Sequence, residues 1–536
     1  MSASPSRAGR ATATSRAMRA PIARARLAGG LLVAAILFLA FVHSLLYAAL
    51  LPPWGLVDEE QHLDYVQRLA EWGRAPVAHR DLLSPEIAAG LFATNRWETL
   101  FHRPAPASAL PDDLGLEAYS YEGYQPPLYY ALLAPIYRAL RDDIVTRLYA
   151  LRLATVGLSL LTVYLTLRFA RELFPRPTIL PYAAALLVAV LPERAMAISR
   201  VNNDALLEVL AVAFLWAAIR AHRFGLDVRR AMLLGTLYGL GVLAKLTMAA
   251  LAPVLLYLLA VSRPRREALR GGLAMAACAA LLIVPLVVRN LMVYGDLTGF
   301  SGFRRLMASV GGFRPPAQTI TSLARALLQS VTHIWFVWWK GADVGGNALT
   351  AAAYALLLAI TGIATLGLAR RAAASRRRGD ALSSFMVLLF ALPPLYALLA
   401  AGSYLRGEVP VVQGRFLLPA LAPGALALVV GLWQFRQGAW MYAGAVSLLL
   451  AMTAALLLGN LLPHAYYWSA VVRGDVSHTA FDLSAIWTVL YPRLLADKPA
   501  ALRPLLPLLL PCSVAGLVAV VAAGRYWLSV ERHADP

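Results

Sequence analysis

Long apolar runs separated by short polar interludes occupy most of the chain. They fall at 28–50, 149–170, 178–196, 204–221, 231–243, 246–261, 271–289, 347–369, 381–401, 416–434, 439–460 and 503–523. A helix needs about 20 mostly apolar residues to cross the hydrocarbon core. The pattern therefore predicts an all-α polytopic integral membrane protein with about 12 transmembrane helices. Lys245 interrupts 231–261, which reads either as two short helices or as one broken helix.

The longest polar interlude, 51–148, has a periodicity of its own. From Asp58 onward, Leu63, Val66, Ala70 and Gly73 share one side, and Glu60, Asp64, Gln67 and Glu71 another. That spacing predicts an amphipathic helix lying along the membrane surface, with Asp58, His62 and Tyr65 on a shared edge. Asp58 followed by Gln61 also resembles a capping box, which would explain Asp58 as a helix start. Farther on, "YEGYQPPLYYALLAPIYRAL" (121–140) opens a short apolar segment with two prolines, a favoured start for a helix. It is too short to span and predicts a juxtamembrane helix. "HIWFVWWKG" (333–341) predicts a further helix at headgroup level, because Trp concentrates there.

Composition and charge refine this picture. Of 536 residues, 60% are hydrophobic, and the formal net charge is +20. In a soluble protein such a charge would suggest nucleic acid; here no nucleic-acid partner is expected. The basic residues gather in the short interludes 171–177, 220–230, 262–270 and 370–380, as cytoplasmic loops do. That places both termini in the cytoplasm and 51–148, 290–346 and 461–502 outside. Fourteen of the 29 acidic residues lie in 51–148. The expected organisation is a disordered basic cytoplasmic tail (1–27), a transmembrane domain (28–460) with a large first outer loop (51–148), an outer loop (461–502), and a last span with a cytoplasmic tail (503–536). Cys278 and Cys512 lie far apart in apolar runs and build neither a disulfide framework nor a zinc site.

Candidate chemistry sits at the outer ends of the spans. Asp58, Glu59 and Glu60 follow the first run directly, although carboxylates are costly beside lipid. Glu122 and Gln125 stand just before Pro126. Arg415 enters the tenth run from outside and Lys245 is flanked by apolar residues, so both are candidate cations for an anionic substrate. Arg289 and Arg147 are outer-end cations that also suit interfacial anchoring. Asp204, in "SRVNNDALL", suits either a helix cap or a substrate contact.

These motifs together resemble the GT-C glycosyltransferases, membrane enzymes that take sugars from polyprenyl-phosphate carriers. The group includes protein O-mannosyltransferases and the aminoarabinose transferases that modify lipid A. "VDEEQH" is similar to their acidic first-loop motif and "YQPPLYY" to their Pro-Pro segment; relatives often carry His or Lys where Gln125 stands. "GLGVLAKLTMAALAPVLLYLL" (239–259), "RNLMVYGD" (289–296) and "QGRFLLPALAP" (413–423) extend the resemblance in the expected order. It implies a GT-C-like fold with juxtamembrane helices in the first outer loop. It also implies inverting transfer of a sugar to a glycan, lipid or protein acceptor on the outer face of a bacterial inner membrane.

By the same resemblance, Asp58 is the general base, and Glu59 and His62 orient it or contact the acceptor. Glu122, Gln125, Lys245, Arg289 and Arg415 bind substrate. No cofactor is required; a divalent metal near Asp58, Glu59 and His62 is the unfavoured alternative. The competing functional classes are a transporter or flippase of lipid-linked glycans and a non-catalytic protein on the same scaffold. Transporters place binding groups near the midplane, often in matching halves, whereas the acids here concentrate in one outer loop.

Overall fold

The computed structural model describes residues 7–54, 58–94, 118–175, 178–309, 319–321, 324, 328, 351–378, 381–405, 414–458, 462–473 and 483–532. The aromatic string 333–341 and the acids Glu98, Asp112, Asp113 and Glu117 lie outside them. Among the described residues all regular structure is helical, apart from one isolated backbone bridge between Leu82 and Tyr119.

Helix α1 runs from Arg7 to Leu50. It thus takes in residues 7–27, expected above to be disordered. Ala and Arg, which dominate that segment, are strong helix formers and let the first span's helix continue. Helices α2 (Glu59–Trp72), α3 (Pro85–Ala93) and α4 (Leu128–Ala139) follow, with a 3-10 turn at Tyr121–Tyr124. They precede α5 (Ile144–Leu173), the next helix long enough to span. Pro127 sits at the start of α4, as the sequence leads one to expect, and Leu132 and Ile136 expose an apolar edge one turn apart.

The remaining α-helices of seven or more residues are α6 (Leu180–Val190), α7 (Pro192–Ile198), α8 (Asp204–Phe224), α9 (Val228–Ala244), α10 (Ala252–Val261), α11 (Arg265–Tyr294), α12 (Phe300–Ser309), α13 (Ala351–Arg378), α14 (Ala381–Leu405), α15 (Leu421–Leu432), α16 (Gly438–Leu456) and α17 (Leu506–Arg532). Among the described residues, nine helices are long and apolar enough to cross a membrane, and each coincides with one of the expected runs. Three runs depart from expectation. The run at 178–196 bends by 60° between α6 and α7, where Pro192 cannot continue the hydrogen-bond ladder. The two runs in 231–261 are separate helical segments, each shorter than a full span. Lys245 takes an extended backbone between α9 and a 3-10 turn (Leu246–Leu251) that leads into α10.

α8 and the segment 415–432 are the most enclosed spans, whereas α11 and α17 leave most of their apolar surface outward, as lipid contact requires. α8 packs between α5 and α9, α9 lies along α11, and α1 is flanked by α17 and α5. α13 and α15 approach so closely that a Cβ on Gly431 would lie 2.0 Å from the Ala364 carbonyl oxygen, so only glycine fits. Inside this bundle Arg194 and Glu208 form a fully buried ion pair (2.9 Å). The enclosed helices meet the segment that follows α1 at one end, and the polar side chains converge there.

Candidate active site

The chain leaves α1 through a tight passage. Trp54 and Asp58 both adopt left-handed backbone, at φ 56° and 77°. Asp tolerates this region better than most residues, at a cost of about 1 kcal/mol that the surroundings must hold in place. Asp58 begins α2, its carbonyl accepting from the His62 amide, yet its side chain makes no capping bond. The carboxylate turns inward instead. Oδ1 accepts from the Tyr121 hydroxyl and Oδ2 from the Arg415 guanidinium, each at 2.7 Å. A helix cap therefore does not account for Asp58. Burial pushes its carboxyl up, but the charges of Arg415 and His62 and the bonds from Tyr121 and Arg415 outweigh burial and hold it at about 2.

Glu59 points elsewhere. Its two oxygens accept from Arg152, and Oε1 also accepts from the Val201 amide (3.0 Å). Arg152 in turn donates to the carbonyls of Ala48, Leu51 and Pro52. This pair staples the exit of α1 to α5 and leaves Glu59 no open oxygen toward Asp58. Breaking a buried ion pair by removing one charge costs about 3–5 kcal/mol. Glu59→Gln is expected to lower thermal stability in detergent by an amount of that order, and Arg152→Met to do the same. The double variant should recover much of the loss. Additive losses in that double-mutant cycle would disprove the coupling.

The other candidates fall into two groups. Lys245 joins the site: its ammonium donates to Asp204 Oδ1 at 2.7 Å, so Asp204 is a site partner and Asn203 holds the helix-cap position of α8. His62 lies at the same place, its Nδ1 2.8 Å from the Tyr130 hydroxyl and its ring stacked on Tyr130. Burial, which outweighs the pull of Asp58, lowers the imidazole to about 3, so it is neutral. Glu122 is buried in the 3-10 turn beside Tyr121, within the field of Asp58, Lys245 and Arg415.

Gln125 and Arg289 fasten the surrounding chain. Gln125 bonds Tyr124 and Asn203 through its amide, and its carbonyl accepts from Tyr65. Arg289 donates to the carbonyls of Pro76 and Gly123, holding the turn that carries Glu122. Arg147 lies outside the cluster, beside Tyr137, Glu71 and Glu86.

Three buried atoms from three parts of the chain lack a hydrogen-bond partner in this cluster: Glu122 Oε2, Asp204 Oδ2 and Arg415 Nε. Buried polar atoms are normally satisfied, so converging exceptions mark a place for a polar ligand. Among the described residues, no three His, Cys, Asp or Glu side chains converge to hold a metal. Within the Asp58, Glu59 and His62 set, Glu59 is committed to Arg152 and His62 Nδ1 to Tyr130.

α2 is not the surface helix expected. Its polar face is buried beneath 82–86: Asp64 accepts from the Ser84 amide and pairs with Arg68, Gln67 bonds Ser84 and Glu86, and Arg68 reaches the Leu82 carbonyl. Amphipathic spacing gives the right helix and shared edge, but it does not distinguish water from a polar layer of protein. Sequence reasoning also passed over Tyr121, Tyr130 and Arg152. Arg152 carried a usable signal, a charge inside an apolar run; the tyrosines carried none.

A last tie joins the far end of the chain to this region. Lys498, nearly fully buried, donates to the Leu51 carbonyl (3.0 Å), Tyr149 (2.6 Å) and Tyr466 (2.7 Å).

Residues 125–290 match the family described as dolichyl-phosphate-mannose-protein mannosyltransferase. No curated protein matches the chain. The apo oligosaccharyltransferase of Archaeoglobus fulgidus is 14% identical with a TM-score of 0.44, covering 83% of this chain and 55% of its own. ArnT from Cupriavidus metallidurans, solved bound to undecaprenyl phosphate, is 15% identical with a TM-score of 0.40, covering 93% of this chain and 76% of its own. A. fulgidus AglB in complex with an inhibitory peptide and a dolichol-phosphate is 14% identical with a TM-score of 0.41, covering 90% and 56%. The chain spans about half the length of the oligosaccharyltransferases, at 55%. Over residues 125–290, which include Gln125, Asp204, Lys245 and Arg289, it matches the mannosyltransferase family, and the resemblance to GT-C glycosyltransferases drawn from its motifs stands.

Proposed function

We propose that this chain transfers a sugar from a polyprenyl-phosphate carrier to an acceptor on the outer face of a bacterial inner membrane, with inversion at the anomeric carbon. The observation that carries the reading is the buried cluster at the end of the first span. There one carboxylate, Asp58, is held between a cation and a phenol, with a second cation, Lys245, nearby. Such transfer passes through an oxocarbenium-like state. It needs a base for the acceptor's proton and fixed cations for the departing phosphate.

Asp58 takes the acceptor's proton, and Arg415 and Lys245 face the carrier phosphate. Arg415 is paired with Asp58, so an arriving phosphate competes for it. When Arg415 turns to the phosphate, Asp58 loses a counter-ion and its carboxyl rises from about 2 toward the ordinary range, where it is a stronger base. Donor binding thereby readies the base. Glu59 acts at a distance, by fixing the chain that carries Asp58. The termini lie in the cytoplasm, in keeping with the basic short loops.

Lipid-linked sugars and surface glycans are to be profiled in membranes with and without the gene. One polyprenyl-phosphate sugar should accumulate in its absence while one glycan loses that sugar. A lipid-linked intermediate that instead accumulates on the cytoplasmic side, with transfer intact in permeabilised membranes, would point to a flippase.

A further inference from the structure

Glu122 does not serve the fold in the way Glu59, Asp64 and Glu208 do. Glu59 is locked to Arg152, Asp64 to Arg68 and Glu208 to Arg194. Glu122 has no such cation of its own, and its Oε2 has no hydrogen-bond partner. The chain nevertheless goes to some length to keep it inside. The turn is pinned by Arg289 and Tyr294, which both donate to the Gly123 carbonyl. Gly123 is obligatory, because a Cβ there would lie 2.7 Å from the Pro76 carbonyl oxygen. Phe300 and Phe303 of α12 pack edge-on or tilted against Tyr124, and Phe303 against Tyr121.

The groups that act on Glu122 come from every side. They are Asp58 at the start of α2, Lys245 after α9, Arg415 before α15, the Gln125 side chain, and the phenols of Tyr124 and of Tyr130 on α4, while Arg289 of α11 holds the Gly123 carbonyl behind the turn. Burial, and then the charge of Asp58, push the Glu122 carboxyl up to about 8 against the pull of Lys245 and Arg415. Two carboxyls in one cluster are thus in opposite states at neutral pH. Environments that drive paired acids apart are how one site assigns a base and an acid.

We propose that Glu122, whose Oε2 is buried and unpartnered in this cluster, is a second catalytic carboxyl, the acid that gives its proton to the phosphate oxygen departing with the polyprenyl carrier. The step rests on the transfer reaction proposed above and balances as follows. The acceptor oxygen bonds to the anomeric carbon. The bond from that carbon to the phosphate oxygen breaks, leaving its electron pair on oxygen. The acceptor's proton goes to Asp58, and Glu122 protonates the phosphate, which leaves as a hydrogen phosphate monoester. One proton then returns from Asp58 to Glu122. A neutral Glu122 also lets an anionic phosphate enter a site that already holds Asp58 and Asp204.

The test uses the full chain in detergent with undecaprenyl phosphate as the probe, its affinity measured from pH 7 to 9.5. In the parent protein, affinity should fall by up to roughly tenfold per pH unit above about 8, as Glu122 loses its proton. In Glu122→Gln, which cannot ionise, that alkaline fall should vanish. Sugar transfer by Glu122→Gln, from the lipid-linked sugar that accumulates without the gene, should drop by roughly 10²-fold and lose its alkaline limb. If Glu122→Gln does not fold, Glu122→Asp should shift the midpoint of the fall, since it moves a shorter acid in the same cluster. An identical pH dependence in parent and variant overturns the role of Glu122. A parent chain that binds no undecaprenyl phosphate at any pH overturns the underlying reading instead.

Discussion

Asp58→Asn is expected to lower the rate of sugar transfer by roughly 10²-fold or more. The substitution suits the position, because Asn is as tolerant as Asp of the left-handed backbone that Asp58 adopts, at φ 77°. Its amide oxygen still accepts from Tyr121, so the cluster keeps its shape while losing its proton acceptor. A second effect separates this outcome from simple damage. With no carboxylate opposite it, Arg415 is free for the carrier phosphate, and undecaprenyl phosphate should bind Asp58→Asn at least as tightly as the parent. Slow transfer with undiminished binding is the signature of a lost base. Wild-type transfer by Asp58→Asn would remove Asp58 from the mechanism.

Arg415→Gln is expected to act in the complementary way. It removes the cation that the phosphate recruits, so turnover should drop by roughly 10²-fold or more and donor KM should rise with it. It also removes the counter-ion of Asp58, and the carboxyl should rise from about 2, moving the acid limb of the pH–rate profile upward. The sign is fixed: a carboxyl whose pKa rises loses its charge at a higher pH as acid is added. An acid limb that stays in place, with turnover near normal, would make Arg415 an interfacial anchor.

Much of the architecture was legible in the sequence because lipid imposes a long, simple pattern. Among the described residues nine expected runs are helices long and apolar enough to span; the bend falls at Pro192, which cannot continue the hydrogen-bond ladder, and the break at Lys245, the charge between two apolar runs. Asp58, His62, Glu122, Lys245 and Arg415 were all visible as polar residues in places where polar residues are expensive. What they do to one another was not. Arg415 lies 357 residues from Asp58, Arg152 lies 93 from Glu59, and Lys245 lies 41 from Asp204. Pairing at such separations is decided by how helices pack. Glu59 shows the consequence most plainly: adjacent to Asp58 in sequence, it faces a different helix and serves a different purpose.

The tie made by Lys498 bears on how this chain can be recombined with others. Its amine gathers oxygens from Leu51 at the exit of the first helix, Tyr149 on the second spanning helix and Tyr466 beyond α16. The polar interludes look like natural crossover points, but a crossover between 151 and 461 would draw the members of this cluster from different parents. Leu51 contributes only its backbone and constrains nothing, whereas Tyr149, Tyr466 and Lys498 form a set. In directed evolution by shuffling, viable progeny should inherit the three together, so that distant parts of the chain segregate as one unit.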